Sequence, residues 1–185
     1  MHVLRLLRIF IPLLVVAAIV AGAVVVVTSR TDLQRSRKQV DEAWTQLRTD
    51  LDARYRVLAV ANDAVRPVPG PLHELVAQVA AAYGTWGNLE QHGSSVSSEV
   101  VAANDLESLG RRLVVAARAA PRLVGNTPAL GAVGAFAARP APKTAVLFDA
   151  AVDRFERARN RPARSLAARI MGYTSIPDYD ASGVG

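Results

Sequence analysis

The chain has 185 residues, 51% of them hydrophobic, with 22 Lys and Arg against 16 Asp and Glu, a net charge of +6. It contains no cysteine, which excludes disulfides, thiolate metal sites and cysteine nucleophiles. The basic excess is mild and interspersed with acids, and only 5% of residues are aromatic, so the basic patch and stacking residues of a nucleic-acid binder are missing.

Ile9 to Val27 reads IFIPLLVVAAIVAGAVVVV, with no charged residue. As a helix these residues span roughly 28 Å, close to the hydrocarbon thickness of a bilayer. A lone spanning segment must be helical, because lipid offers its backbone no hydrogen bonds. Pro12 falls in the first turn or so, where a missing N–H costs little. The competing reading is a cleaved signal peptide, with Arg5 and Arg8 as a basic start and Ala21-Gly22-Ala23 as the cleavage site. The apolar run continues through Val24–Val27, longer than the usual core of about 7–15 residues, and favours an uncleaved anchor. Arg30, Arg35, Arg37 and Lys38 outnumber Arg5 and Arg8, which places the C-terminal part on the cytoplasmic side of a cell membrane.

Beyond the anchor, Leu33, Val40, Trp44, Leu47, Leu51, Leu58, Ala61 and Val65 recur at intervals of 7, 4, 3, 4, 7, 3 and 4. This is a heptad seam, with Arg37 and Arg54 at the two seam positions that are not apolar. No Gly or Pro occurs between Gly22 and Pro67, so the spacing predicts one long helix over about 31–66, open to continuity with the anchor. Such a seam suits either a dimerising coiled coil, and hence a homo-oligomer, or one helix of an intramolecular bundle; later segments also need partners, which favours the bundle.

Pro67 to Pro71 forms a hard break. Leu72, Leu75, Val76, Val79, Tyr83 and Trp86 predict an amphipathic helix over about 71–90, and His92-Gly93-Ser94-Ser95 a turn. A third helix runs from Val96 to Ala120, stopped by Pro121. Thr127-Pro128 reads as an N-cap and first helical residue for a weak helix over 128–138. Thr144 reads as the cap of a last major helix with Phe148, Val152 and Phe155 on one stripe. Pro162 ends or bends it, Leu166 to Met171 form a short helical piece, and Tyr173 to Gly185 read as a frayed polar tail. No alternating run suggests a β-sheet.

Asp149, Asp153 and Glu156 stand at i, i+4 and i+7 and bring three carboxylates to one helix face. No Glu-x-x-His pair accompanies them, and Asp153 has Arg157 at i+4, so a solvated charged face is the preferred reading over a metal site. His73 and His92 lack a serine and acid arranged for nucleophilic chemistry. Gly131-Ala132-Val133-Gly134 has no following Lys-Ser/Thr and no preceding strand, so it is not a phosphate loop. No catalytic, cofactor or metal residues are therefore assigned. The aromatic residues sit at helical spacings where core packing is the default. As an interaction surface the candidates are Trp44, Leu47, Leu51, Tyr83 and Trp86, the last because it stands beside Gly84 and Gly87.

Two blocks of the chain resemble the LemA family. The first is Leu33-Gln34-Arg35-Ser36 through Val40-Asp41-Glu42-Ala43-Trp44-Thr45-Gln46-Leu47, then Leu51-Asp52-Ala53-Arg54-Tyr55, similar to the family's AW.Q…L.RRY run directly after one membrane helix. The second is Arg118-Ala119-Ala120-Pro121-Arg122-Leu123 with Leu147-Phe148-Asp149-Ala150-Ala151-Val152-Asp153-Arg154-Phe155-Glu156, similar to EAYPDL and YN.AV..YN. The chain departs from the family at Arg56 to Ala61, at Phe148-Asp149 and Phe155-Glu156, and at Pro140 and Pro142, as a divergent member would. The resemblance, over roughly residues 33–180, implies an antiparallel helical bundle on a membrane anchor and brings no catalytic residues.

The resulting expectation is an all-α chain. An anchor over 1–30 is followed by an antiparallel bundle over 31–172 with a long first helix, and then by a flexible tail over 173–185. The expected function is non-enzymatic and cofactor-free: docking or organising an unidentified protein partner at the lipid bilayer, with no nucleic acid. The alternative is an exported envelope module that binds a small molecule or glycan, for which Tyr83, Trp86 and His92 are the residues to inspect.

Overall fold

The computed structural model describes residues 2–68, 70 and 72–180; the side chains of residues 2–29, 162, 163 and 166 lie outside that description. The described residues are all-α, with no strand among them. Six helices follow one another: α1 (His2–Val65), α2 (Leu72–Gln91), α3 (Val96–Ala119), α4 (Thr127–Ala137), α5 (Thr144–Arg159) and α6 (Pro162–Ile170). A 3-10 turn (Pro121–Leu123) joins α3 to α4. The membrane span expected at Ile9–Val27 has its side chains outside the described residues. Among the described residues no helix is long and apolar enough to cross a membrane.

The chain divides into two compact units. One is Met1–Gln39 with Asp153–Ser175, the other Val40–Val152 with Ile176–Gly185. A single bundle over 31–172 was expected. The division falls inside α1 and α5, where helical periodicity runs on unbroken and composition does not change.

In the first unit, Leu33 and Phe155 are fully buried, with Ala158, Ala167 and Ala168 beside them in the core. Arg37, a seam residue that is not apolar, lies over the Phe155 ring at 6.0 Å from its centroid. Tyr173 meets the same ring edge-on at 5.9 Å, and Arg164 donates to Asp32 at 2.6 Å.

In the second unit the α1 seam from Val40 to Val65 is sealed: Leu47, Leu51, Leu58 and Val65 are completely buried. The partners come from this unit itself. Trp86 of α2 donates to Asp52 and Arg48 reaches Glu90, so α2 runs back along α1. Trp44 bonds Glu99 while Arg54 bonds Glu107, so α3 runs in the direction of α1. Trp44 also packs on Phe148 of α5, and Thr144 donates to Asp50 at 2.7 Å.

The helix ends follow local chemistry. Gly93 takes φ +61°, and the Ser94 N–H bonds the Leu89 carbonyl, a Schellman end for α2. Ser95 caps α3 by accepting from the Ser98 N–H at 3.2 Å. At α4 the cap is Asn126, which accepts from the Ala129 N–H, and Thr127 is already helical. Thr144 likewise begins α5 with its hydroxyl committed to Asp50 instead of the helix end.

Glycines report how tightly these helices meet. A Cβ at Gly110 would stand 2.8 Å from Cε1 and Cζ of Phe136 and 3.2 Å from Cδ2 of Leu58, whereas at Gly84 nothing lies within 4 Å. Gly84→Ala is expected to stabilise by about 0.5–1 kcal/mol through helix propensity. At Gly110 the same gain is outweighed by an overpacking cost of about 1–3 kcal/mol, so Gly110→Ala is expected to destabilise. Urea midpoints of the two variants should move in opposite directions; a rise in both would mean the α3–α4 contact yields.

The tail expected over 173–185 is not frayed where it is described. Ile176 and Tyr179 are buried. The Tyr179 N–H donates to Asp149 at 3.1 Å, the Asp180 N–H to Asn104 at 2.9 Å, and Asn104 returns a bond to the Asp178 carbonyl. Two large side chains with backbone hydrogen bonds suffice to seat so short a segment, without any periodic pattern. Residues 181–185 lie outside the described residues.

Candidate functional site

The second unit is built around charged groups inside its core. Arg54 follows Leu51 by three residues, so helical geometry turns it inward with the apolar stripe. Its Nε donates to Glu107 Oε1 at 2.6 Å and its Nη2 to Oε2 at 3.1 Å, a bidentate pair. Nη1 donates to the Arg139 carbonyl. The guanidinium also covers the Phe136 ring at 4.5 Å. Burial pulls the Arg54 pKa down, but the hydrogen bond and charge of Glu107 more than offset it, and the net direction is up.

Two tyrosines close this centre. The Tyr55 hydroxyl donates to the Ala103 carbonyl at 3.0 Å. The Tyr179 hydroxyl stands beside Glu107 and Tyr55 but has the geometry of a hydrogen bond with neither. Burial raises the pKa of both phenols, and the Glu107 charge raises them further. Above about pH 10 the unfolded chain gives up these protons while the folded chain keeps them. Their contribution is therefore complete below that pH and is lost as pH rises, by up to about 1.4 kcal/mol per unit for each tyrosine. Denaturation midpoints between about pH 9 and 11.5 should fall less steeply in Tyr55→Phe/Tyr179→Phe than in the parent. An unchanged slope would mean both hydroxyls titrate in the folded chain as they do in the unfolded one.

A second polar pair sits one layer along. Trp44 Nε1 donates to Glu99 Oε2 at 2.5 Å, and Arg48 stands 3.7 Å from the other carboxylate oxygen. The Trp86 indole donates to Asp52 at 2.9 Å, and the two tryptophan rings meet edge-to-face at 6.3 Å. Every one of these groups faces a protein partner across α1, α2 or α3. The chemistry they perform is neutralisation and register, with no nucleophile poised beside a base.

The interaction surface expected at Trp44, Leu47, Leu51 and Trp86 is therefore corrected. All four are core residues, because α2, α3 and α5 cover the seam. Tyr83 stays half-exposed and lines a shallow cleft of about 330 Å³ with Asp52, Arg56 and Glu90. His73 and His92 are exposed, and His92, just past the end of α2, donates from Nδ1 to the Asn88 carbonyl in that helix's last turn. Asp149 serves the Tyr179 backbone, and Glu156 binds Arg159 at 2.7 Å. Arg157 donates to the backbone carbonyl of Asp153, not to its carboxylate. Among the described residues no group of three or more His, Asp or Glu is arranged to hold a metal ion.

What sequence reasoning missed is a groove between α2 and α3. Val68, Leu72, Leu75, Ala116 and Ala119 line a cleft of about 500 Å³, with Arg122 at its edge. Leu75, Ala116 and Ala119 also line an adjoining cleft of about 480 Å³, together with Arg111, Arg112 and Val115. The signal lay in α3, where Val115 and Ala119 fall outside the stripe of Leu106, Leu113 and Ala117. Ser108, Arg111, Val115 and Ala119 thus form a second, outward face. No family model, no curated protein and no solved structure matches the chain.

Proposed function

We propose that this protein is a single-pass membrane protein, a divergent relative of the LemA family, whose antiparallel helical bundle is a non-enzymatic docking module. The uncharged run Ile9–Val27 supports the anchor, and the surplus of Arg and Lys after it supports a cytoplasmic bundle. One observation carries the docking reading. The second unit seals its α1 seam with its own helices, yet leaves a concave apolar groove open between α2 and α3. Solvent-exposed apolar concavities of this kind are where partners bind. With Val40 to Val65 enclosed, a homo-oligomer through that seam is disfavoured.

The test is protease accessibility of a C-terminal tag in intact cells, followed by crosslinking of the same tagged protein. A shielded tag with discrete crosslinked membrane or cytoplasmic partners is the expected result. A digested tag would put the bundle in the envelope and bring forward recognition of a small molecule or glycan.

A further inference from the structure

We infer that the cleft between α6 and the start of the soluble part of α1 binds the headgroup of an anionic phospholipid. The inference rests on the reading of Ile9–Val27 as a membrane span and names the lipid preferred beside it. Charge is divided unevenly along the chain. Beyond residue 29 the first unit carries ten Lys and Arg against three Asp and Glu, whereas the second carries ten against thirteen. The positive excess thus lies in the unit that contains the span. From Arg157 to Ser175 there are five arginines and no acid. Two of these charges are already answered, Arg159 by Glu156 and Arg164 by Asp32. Arg30, Arg35, Arg161 and Arg169 are exposed, and among the described residues none of the four pairs with a carboxylate.

Depth selects the lipid surface. α1 is one helix from His2 to Val65, so residues 30–34 stand roughly 5–10 Å beyond Val27, level with the headgroups. α6 meets α1 at that level. Phe155 lies beside Arg37 and Arg164 beside Asp32, but Ala167, Ile170 and Met171 descend no further. They face Arg30 and Gln34 across a cleft of about 440 Å³. Tyr173, also in its wall, returns to the Phe155 ring. Gly172 takes φ +67° and the Tyr173 N–H bonds the Ala168 carbonyl at 2.9 Å, a Schellman end that sets Ile170 at the corner with 74% exposure. A guanidinium, an amide and a phenol thus stand opposite an exposed apolar wall. That pairing suits a phosphodiester with the start of its acyl chains beside it. A zwitterionic headgroup brings its own cation to these arginines, and a nucleic acid leaves Ile170 and Met171 uncovered.

The chain has no cysteine, so one introduced cysteine carries one fluorophore. Thr174→Cys, exposed beside the cleft, reports on α6, and Val20→Cys reports on the span. The labelled full chain is placed in nanodiscs and quenched with brominated phosphatidylglycerol or brominated phosphatidylcholine. At Thr174→Cys phosphatidylglycerol should be preferred by about fivefold for each arginine engaged. Arg30→Gln with Arg169→Gln should remove most of that preference. Ile170→Ser should weaken quenching by both lipids and leave their ratio. Arg66→Glu, a charge change in the second unit, should alter neither. Equal quenching by the two lipids, or an undiminished preference in the double variant, overturns the inference. So does loss of the preference to glycerol phosphate, which would make the ligand a soluble phosphate. Binding of polyuridylate without any lipid preference would assign the basic unit to nucleic acid and overturn it too. If Val20→Cys is quenched by both lipids while Thr174→Cys shows no preference, the inference falls and the anchor stands. If Val20→Cys is quenched by neither while Thr174→Cys prefers phosphatidylglycerol, the anchor falls and the headgroup site stands.

Discussion

Glu107→Ala is expected to cost about 3–5 kcal/mol of unfolding free energy. The carboxylate is 1% exposed, and it accepts from both Nε and Nη2 of Arg54. Without it the guanidinium keeps the Arg139 carbonyl and the Phe136 face, but no counter-charge inside the core. A domain of this size has a total stability of about 5–15 kcal/mol, so the loss shows as a large drop in denaturant midpoint or as failure to fold. The expectation reverses for the pair. Arg54→Met with Glu107→Leu removes both charges and keeps an apolar filling, so that double variant should lie within about 1 kcal/mol of the parent or above it. Guanidinium titrations followed by circular dichroism measure both. A double variant as unstable as Glu107→Ala would show that the pair does more than neutralise itself, by fixing how α1 and α3 register.

Trp44→Ala should be comparably severe, at about 3–5 kcal/mol. The ring fills space between Trp86 at 6.3 Å and Phe148 at 5.1 Å, and its indole N–H is the close donor to Glu99. Two effects are thus combined, and Trp44→Phe separates them. Phenylalanine keeps much of the contact with Trp86 and Phe148 but leaves Glu99 with only the distant Arg48, so it should cost about 1.5–3 kcal/mol. Glu99→Gln retains an acceptor for the indole and should cost less than Trp44→Phe. If Trp44→Phe is neutral, the short indole–carboxylate bond contributes nothing net. If it matches Trp44→Ala, packing is the minor component.

Much of the helical fold was legible in the sequence, because a 3.6-residue period and proline breaks are local signals. The seam residues Leu47, Leu51, Leu58 and Val65 point inward as their spacing requires. The same spacing marked Arg54 as a polar intruder in the seam, yet its partner Glu107 lies 53 residues away on α3, where no local pattern pairs the two. Trp86 drew notice for its flanking glycines. The structure shows those glycines on an open face while the indole turns inward to Asp52. The groove was hidden for a different reason: it belongs to no single helix. Leu75 and Ala116 are half-buried on separate elements, and only their juxtaposition makes a floor. The division of the chain inside α1 and α5 left no trace either, since a continuous helix carries no boundary residue.

The seating of residues 176–180 has a consequence for how the chain is made. The second unit is discontinuous in sequence, and Asp180 meets a residue 76 positions before it. Synthesis is vectorial, at about 5–20 residues per second, so α1 to α4 leave the ribosome before Tyr179 exists. Until then the Arg54–Glu107 pair lacks its last cover, and the nascent unit is a partly assembled intermediate with an unsealed flank. Completion of this unit waits for residues 176–180 to emerge, and a chain lacking Ile176 to Asp180 would remain at that intermediate.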